Sequence, residues 1–227
     1  MKLFKDKRLL LIHMMLKHVK KIIPLGIRAF IWSSIPRFQV LNTYILKSPR
    51  EIQDLHKISD EYSIREVEWS DIEELKKFHE IRGSRSFMKI PPRLDSQAWH
   101  GLAIFDRKNE QIAYLAWIID KSIPYFEEFD LVLNEGQFLL KDGYCLPSHR
   151  HKGLHTRMEQ ERINYCVNNG ANEIYIQIHD SNKKGIDSVL GNGYVLYKKS
   201  LIIKWPLFRI YRSLKGFIIN PFRKVVK

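Results

Sequence analysis

The chain has 227 residues, of which 44% are hydrophobic, so it is long enough to bury a full core and is expected to form one domain with terminal additions. Its two cysteines, Cys145 and Cys166, show neither metal-ligand spacing nor a disulfide framework. This cysteine usage indicates a reducing compartment and argues against a structural metal site. The sequence therefore predicts a cytoplasmic protein without a bound metal.

The net charge of +13 is concentrated at the two ends of the chain. Residues 1–50 contain eleven Lys or Arg and one Asp, and residues 204–227 contain seven Lys or Arg and no acid. Residues 51–203 carry a net charge of −4. Both ends place apolar residues at helical spacing beside a basic face. We therefore predict a basic amphipathic N-terminal helical segment (1–50), a central domain (51–203) and a basic amphipathic C-terminal segment (204–227).

The amphipathic ends are too short and too charged to cross a bilayer, which requires ~20 predominantly apolar residues. Two interpretations of these ends stay open. They either pack on the domain or lie on an anionic membrane surface, which would make the protein peripheral on the inner face of the membrane. Nucleic acid is disfavoured as a partner because the ends lack aromatic-interleaved basic runs.

The predicted elements of the middle region alternate between strand and helix. In chain order they are a short connecting helix at 48–59, a strand at 62–69, a helix at 71–83, strands at 98–106 and 111–120, a strand at 136–146, a helix at 153–169, a strand at 172–179, a helix within 180–193 and a strand at 194–205. The hairpin at 98–120 excludes a wholly parallel sheet. The fold class is therefore α/β, with a mixed central sheet flanked by helices.

Residues 142–158 read "DGYCLPSHRHKGLHTRM" and predict an anion site. A strand ends at Pro147, a basic turn follows, and a helix begins, so the unpaired N–H groups of the first helical turn face a common point. Gly153 allows the backbone to approach a ligand closely, and Arg150 and Lys152 add positive charge. A diphosphate suits such a turn. The Walker and GxGxxG patterns are absent, which disfavours the common nucleotide-binding folds.

This turn resembles the coenzyme A loop of the GNAT acetyltransferases, whose signature is [RQ]xxGx[GA]. Arg150 and Gly153 fall on its fixed positions, and His155 stands where Gly or Ala is usual. Farther on, "NKKGIDSVLGNGY" resembles the NxxAxxxYxxxGF segment of the same family, with Asn182 at the first position. The resemblance covers about 62–203 and implies the GNAT acyl-CoA N-acyltransferase fold, with acetyl-CoA as the acyl donor. The cofactor-binding residues that it implies are Cys145, Leu146, Arg150, His151, Lys152, Gly153, Leu154, His155, Thr156 and Asn182.

Val189 occupies the position at which many members of the family carry the tyrosine that protonates the leaving thiolate. Direct proton transfer from a phenol at that position is therefore not available. Another donor acts, or water does, or catalysis is weak.

Transfer of an acyl group to an amine also requires a base, which takes the proton of the amine. Asp142, on the strand that enters the turn, is a candidate base or amine anchor, with a structural carboxylate as the alternative. His100 is a candidate at the acceptor side and His179 at the thiol end, with ordinary sheet histidines as the alternative. The predicted substrate-binding residues are Phe87, Trp99, Tyr125 and Glu127, for which burial or a solvated turn is the alternative.

Together these features predict an N-acyltransferase that uses acyl-CoA, most simply acetyl-CoA, and acts on a primary amine by direct transfer. An amino sugar or another surface-polysaccharide precursor at the membrane face is the expected acceptor, and a homodimer is left open. One alternative is a catalytically silent module of the same fold that binds coenzyme A or lipid. A second alternative is a tRNA-dependent aminoacyl transferase of that fold.

Overall fold

The computed structural model describes residues 37–83, 85–120, 131–205 and 208–213. Its strands are β1 (Arg37–Lys47), β2 (Tyr62–Glu66), β3 (Trp99–Asp106), β4 (Gln111–Ile119), β5 (Gln137–Cys145), β6 (Glu173–His179), β7 (Val195–Trp205) and β8 (Phe208–Ser213). The α-helices of the described residues are α1 (Ile72–Ile81), α2 (Ile90–Leu94), α3 (Leu154–Asn168) and α4 (Lys183–Gly191). The eight strands form one mixed sheet in the order β2-β3-β4-β5-β6-β1-β7-β8.

Both faces of the sheet are covered by helices, which explains the nearly continuous apolar run of β4. Successive side chains of a strand point to opposite faces. Leu115 and Trp117 accordingly pack in the core under α1 and α2, whereas Tyr114 and Ala116 pack in the core under α3 and α4. The predicted mixed α/β architecture and the predicted strands and helices after residue 61 are confirmed.

The predicted helix at 48–59 is wrong, because residues 48–61 form an irregular segment that runs along α3. The N–H of Ile52 donates to Asn164 Oδ1 (2.7 Å), and Asn164 Nδ2 donates to the Ile52 carbonyl (2.9 Å). The N–H of His56 donates to Gln160 Oε1 (2.6 Å). Side chains on one face of α3 thus satisfy backbone groups that a helix would have satisfied internally.

The boundary predicted at residue 50 also needs correction, because β1 is an interior strand of the sheet. β1 pairs antiparallel with β6 on one side and with β7 on the other, and Leu41 lies opposite His179 and Ser200. Residues 41–45 are all buried, as expected for a strand covered on both faces. The helical spacing near the N-terminus was extended too far, into a segment whose β-branched and aromatic residues favour a strand.

The predicted C-terminal amphipathic segment contains a strand as well. Phe208–Ser213 forms β8, which pairs antiparallel with β7. Residues 1–36 and 214–227, which include most of the two predicted basic segments, lie outside the described residues. Among the residues described, no helix combines the length and apolar character that crossing a membrane requires.

Candidate active site

The parallel strands β5 and β6 separate halfway along their length. Their paired register runs from Gln137 opposite Glu173 to Leu140 opposite Ile176. Beyond that point β5 continues beside β4 to its end, while β6 continues beside β1. The carboxyl ends of two neighbouring strands therefore diverge next to the start of α3, and such a crevice is where open α/β sheets bind ligands.

The turn between β5 and α3 contains two residues with a left-handed backbone. His151 has a φ of +63° and Gly153, at the N-cap of α3, has a φ of +75°. The N–H of Arg157 donates to the Gly153 carbonyl (3.1 Å). The N–H groups of residues 154–156 therefore precede the hydrogen-bonded ladder of the helix. They lie at the positive end of a 15-residue helix, where an anion is stabilised.

His56 lies directly against this turn. A Cβ atom placed on Gly153 would be 2.3 Å from His56 Nε2, which is closer than any real contact. Arg157 Nη1 donates to the His56 carbonyl (3.1 Å) and so ties the irregular segment to α3. Sequence reasoning missed His56 because it belongs to a segment that precedes the matched region. Gly153 is thus required for its φ, whereas a side chain at this position would in addition push the exposed His56 ring aside.

The basic side chains of the turn contact neighbouring protein groups. Lys152 Nζ donates to the Tyr62 hydroxyl (2.8 Å). Arg150 Nε donates to the Cys145 carbonyl (3.3 Å), and Arg150 Nη2 donates to the Tyr144 hydroxyl (3.4 Å). Both cations are exposed and remain within the turn, so they add positive charge beside the N–H groups of α3.

The other residues predicted to bind the cofactor fall into different environments. Leu146 is buried under α1 and α2, and its N–H already donates to a carbonyl of β4 (2.9 Å). Leu154 is buried under α3 and α4, whereas Thr156 is exposed on the first turn of α3. Asn182 caps α4, since its Oδ1 accepts from the N–H of Gly185 (3.1 Å). For Leu154 and Thr156 the backbone N–H, not the side chain, is placed to contact an anion.

Cys145 packs against the core under α3 and α4. Burial raises the pKa of its thiol to about 11, although the charges of Arg150 and Lys152 oppose that shift. A protonated thiol is a poor nucleophile. Cys145 is therefore unsuited to carry a covalent acyl group.

Asp142 occupies a bulge of β5 on the face covered by α1 and α2. The register with β4 shifts at this point, and Asp142 has a φ of +51°. Its carboxylate accepts a hydrogen bond from Arg93 of α2. The guanidinium of Arg93 also lies over the rings of Trp99 (4.1 Å) and Trp117 (5.1 Å). The bulge thus aims Asp142 at a buried, aromatic-stacked arginine.

The pKa of Asp142 lies below its ordinary value. Burial alone would raise it, but the charge of Arg93 and the hydrogen bond from Arg93 outweigh burial. A carboxylate with a depressed pKa is a weak base, so this geometry suits an anchor better than a proton acceptor.

Replacing Asp142 with Asn tests this ion pair, because Asn tolerates the left-handed backbone while removing the charge. A depressed pKa contributes stability above the ordinary carboxyl pKa of about 3.9, and that stability is lost as the pH falls through the folded-state value. The difference in unfolding free energy between wild type and Asp142→Asn is therefore expected to shrink between pH 7 and pH 3. Urea denaturation at several pH values measures it, with Asp60→Asn as an exposed control. A difference that does not change with pH would contradict the ion pair.

The structure does not bring the three predicted catalytic side chains together. His100 lies on the face covered by α3, with its Nε2 3.4 Å from the Asp120 carboxylate and its ring 5.3 Å from that of Tyr165. His179 ends β6, on the opposite lip of the gap from β5, and its side chain is exposed. Asp142 lies on the other face from His100, so these two cannot act on one amine.

Two of the four predicted substrate-binding residues can be placed. Trp99 contacts Arg93, which in turn forms the ion pair with Asp142. Phe87 packs at the edge of the core under α1 and α2, with its ring 6.4 Å from that of His79. Tyr125 and Glu127 lie outside the described residues.

Further arginines surround Tyr144 on the same face. The guanidinium of Arg82 lies 4.6 Å from the centre of the Tyr144 ring, and that of Arg150 lies 5.7 Å from it. Together with Arg93, they form a group of three arginines on the face that carries Asp142. Sequence reasoning missed Arg82 and Arg93 because each stands alone in the sequence, without a motif.

A polar network lies on the other face, between β4, α3 and α4, and runs from the buried Tyr114 to the half-exposed His155. Tyr114 Oη is 2.8 Å from His155 Nδ1, and His155 Nε2 is 3.1 Å from Ser188 Oγ. Glu159 and Arg162, both almost fully buried, form an ion pair one turn farther along α3. The sequence carried a signal for this pair, because two opposite charges three residues apart interrupt the apolar face of a helix.

Val189 of α4 is buried in the core on this face, so its apolar side chain is removed from water. In the described part of the chain, no cluster of three or more His, Cys, Asp or Glu side chains is placed to hold a metal ion. The polar groups that the described part of the site offers are backbone N–H groups and the polar side chains of its two faces.

The sequence matches no protein-family model and no curated protein. Solved structures do share its fold. A GCN5-related N-acetyltransferase from Sphaerobacter thermophilus is 12% identical and has a TM-score of 0.55, with 86% of this chain and 58% of that chain covered. A tandem GNAT protein from the clavulanic acid biosynthesis pathway is 11% identical, with a TM-score of 0.54 and coverage of 71% and 51%.

A third structure is the glucosamine N-acetyltransferase region of a fungal multi-domain beta-N-acetylglucosaminidase, 14% identical, with a TM-score of 0.54 and coverage of 82% and 22%. This chain spans less than two thirds of the length of each of the three. Because the sequence identities are this low, the structural similarity shows the fold alone. The chain has the fold of the GNAT acetyltransferases, and the predicted resemblance is confirmed.

Proposed function

We propose that the protein is an acyl-CoA-dependent N-acyltransferase, most simply an N-acetyltransferase, that transfers the acyl group directly to a primary amine. The observation that carries this proposal is the divergence of β5 and β6 beside the N-terminal turn of α3. A turn with free N–H groups suits a diphosphate, and the exposed edge of a diverging strand suits an extended pantetheine arm. When bound, the thioester of the cofactor supplies the activated acyl group.

The residues of the chain would divide the work between the two faces of the sheet. The N–H groups of residues 154–156 and the cations of Arg150 and Lys152 hold the diphosphate. The unpaired edge of β5 beyond Leu140 offers N–H groups to the thioester carbonyl, where negative charge develops. The pair of Asp142 and Arg93 positions the acceptor on the face covered by α1 and α2.

The acceptor is proposed to carry an acidic group near its amine. Among the described residues, Arg82, Arg93 and Arg150 lie on the acceptor face, and guanidinium groups bind phosphate and carboxylate well. Trp99, stacked on Arg93, supplies a flat apolar surface of the kind that sugars contact. An amino sugar joined to a phosphate meets both requirements. Contact with an anionic membrane through the two basic ends stays a prediction from their charge.

Calorimetry with acetyl-CoA and desulfo-CoA, followed by a thiol-release assay over a panel of amines, tests the proposal. We expect both nucleotides to bind, and we expect thiol release to depend on an added amine. Amino sugar phosphates should react faster than the corresponding neutral amino sugars. Failure of both nucleotides to bind would overturn the enzyme assignment.

A catalytically silent module that binds coenzyme A is the second candidate. It is favoured by Val189, which is buried and apolar where the resemblance places a proton donor. Binding of both nucleotides without thiol release on any amine would support it.

A further inference from the structure

We propose that Tyr114 is the proton donor to the leaving sulfur and that His155 positions its hydroxyl. This inference rests on the proposed acyltransferase function and fills the role that Val189 cannot perform. It assigns a catalytic role to a residue of β4, a strand that neither motif of the sequence includes. It also explains why a histidine stands at position 155, where the resemblance places a small residue: His155 would position the Tyr114 hydroxyl.

The position of Tyr114 is the first observation. Tyr114 lies on β4 opposite Cys145, and its hydroxyl lies beside Gly143 of the neighbouring strand β5. A Cβ atom placed on Gly143 would lie 2.9 Å from that hydroxyl, so Gly143 leaves the space that the Tyr114 side chain needs. Gly143 belongs to the part of β5 that has separated from β6. The phenol is therefore held over the diverging end of β5.

The hydrogen bonds of His155 are the second observation. His155 Nδ1 lies 2.8 Å from Tyr114 Oη and its Nε2 lies 3.1 Å from Ser188 Oγ. Its ring stacks on that of Tyr114 with a centroid distance of 6.0 Å. If the Ser188 hydroxyl donates to Nε2, then Nδ1–H donates to Tyr114 Oη and leaves the phenolic proton free for another acceptor. Ser188 directly precedes Val189 in α4, so this row of hydrogen bonds ends next to the position at which the resemblance places the phenol of the family.

The third observation is that buried polar atoms without hydrogen-bond partners lie around Tyr114 and His155 in the described part of the chain. Among the described residues, Tyr194 Oη, Glu159 Oε2 and Arg162 Nε are buried and have no hydrogen-bond partner. Native proteins seldom leave such atoms unsatisfied, so these three atoms are available to a polar partner that the described side chains do not supply. Glu159 also faces His155, at 4.0 Å from its Nδ1.

Tyr114 stays protonated in this environment. Burial raises the pKa of its hydroxyl, and the charge of Glu159 adds to that rise, while Arg162 opposes it. A protonated phenol can give its proton to a thiolate, whose formation it also stabilises by hydrogen bonding.

The proton balance is as follows. As the bond between amine nitrogen and acyl carbon forms, the carbon–sulfur bond breaks and its electron pair goes to sulfur. Tyr114 gives its hydroxyl proton to that sulfur, and His155 Nδ1 returns a proton to the Tyr114 oxygen. As Nδ1 gives up its proton, Nε2 of the half-exposed imidazole takes one from solvent by way of the Ser188 hydroxyl, so His155 stays neutral. The amine loses one proton to solvent, so no oxidant or further reactant is needed.

The first test measures binding. In wild type, affinity for coenzyme A relative to desulfo-CoA should rise about sevenfold as the pH is raised from 7 to 9.5, because a thiolate that accepts the Tyr114 hydrogen bond has a pKa lowered by about one unit. Tyr114→Phe should lose that rise and keep its affinity for desulfo-CoA. The desulfo comparison removes any pH effect that both ligands share, including effects of the charged neighbours Glu159 and Arg162 and of His155. An equal rise in both proteins would overturn the proposal.

The second test measures turnover with two leaving groups. Tyr114→Phe should lower kcat with acetyl-CoA by about 10²- to 10⁴-fold, the usual contribution of general acid catalysis. Acetyl-seleno-CoA releases a selenolate, which needs no proton, so with this donor the variant should approach wild type. His155→Asn, which keeps a donor near Nδ1, should retain more activity than His155→Ala. Tyr175→Phe, which removes a buried phenol in the paired part of β6, is the control.

The outcomes separate this inference from the function on which it rests. If wild type neither binds nor turns over acetyl-CoA, the acyltransferase assignment fails. If wild type is active and Tyr114→Phe is equally slow with both donors, or as fast as wild type, only the role of Tyr114 fails.

Discussion

Gly153→Ala is expected to abolish measurable binding of coenzyme A and to destabilise the fold. The left-handed backbone at this position costs a non-glycine residue about 1–3 kcal/mol. The added methyl would also meet the ring of the exposed His56, so that ring or the turn has to shift. Movement of the turn displaces the N–H groups of residues 154–156. Calorimetry with desulfo-CoA and urea denaturation measure the two effects.

Gly170→Ala is the matched control, because Gly170 follows the other end of α3 with a φ of +80° and has no atoms within contact distance of its Cβ position. It should cost similar backbone strain and leave binding unchanged. The double variant His56→Ala with Gly153→Ala should recover part of the stability. If Gly153→Ala binds coenzyme A as wild type does, the turn is not the diphosphate site.

Glu159→Gln is expected to lower the unfolding free energy by about 3–5 kcal/mol, the usual cost of removing one partner of a buried ion pair. Arg162 would remain fully buried with its charge uncompensated, beneath the diverging end of β5. Thermal and urea denaturation measure the loss. Because Glu159 also faces His155, the variant should in addition weaken coenzyme A binding at temperatures where it is folded.

Glu161→Gln is the control on the same helix. Glu161 pairs with Arg157, but both side chains are about a quarter exposed, so this pair should contribute only about 0.3–0.5 kcal/mol. Equal losses for the two variants would mean that the pair of Glu159 and Arg162 is solvated.

Local signals predicted much of the fold. The helix at 72–81, the hairpin of β3 and β4 and the turn before α3 are each specified by residues close together in the chain, and the structure contains all of them. The position of β1 could not be predicted in this way. Its place depends on hydrogen bonds to β6 and β7, and nothing within residues 37–47 indicates those partners.

The candidate site divides in the same manner. Gly153 and the turn around it follow from a local motif. The environment of Asp142 does not, because its pKa depends on Arg93, which lies in a proline-containing stretch that gave no periodic signal. Tyr114 was indistinguishable from a core residue, since it occupies a regular inward position of an apolar strand. Its hydrogen bond to His155 is a product of the tertiary structure.

The insertion of β1 between β6 and β7 has a consequence for how the chain reaches its native state. β1 is synthesised before every other described strand, yet its two partners come more than a hundred residues later. During translation the backbone N–H and C=O groups of β1 therefore stay unpaired until β6 and β7 are synthesised, and they can pair with other nascent chains. Closing so long a loop is entropically costly and slows folding. We therefore expect β1 to dock late in folding, after most of the other strands of the sheet have paired.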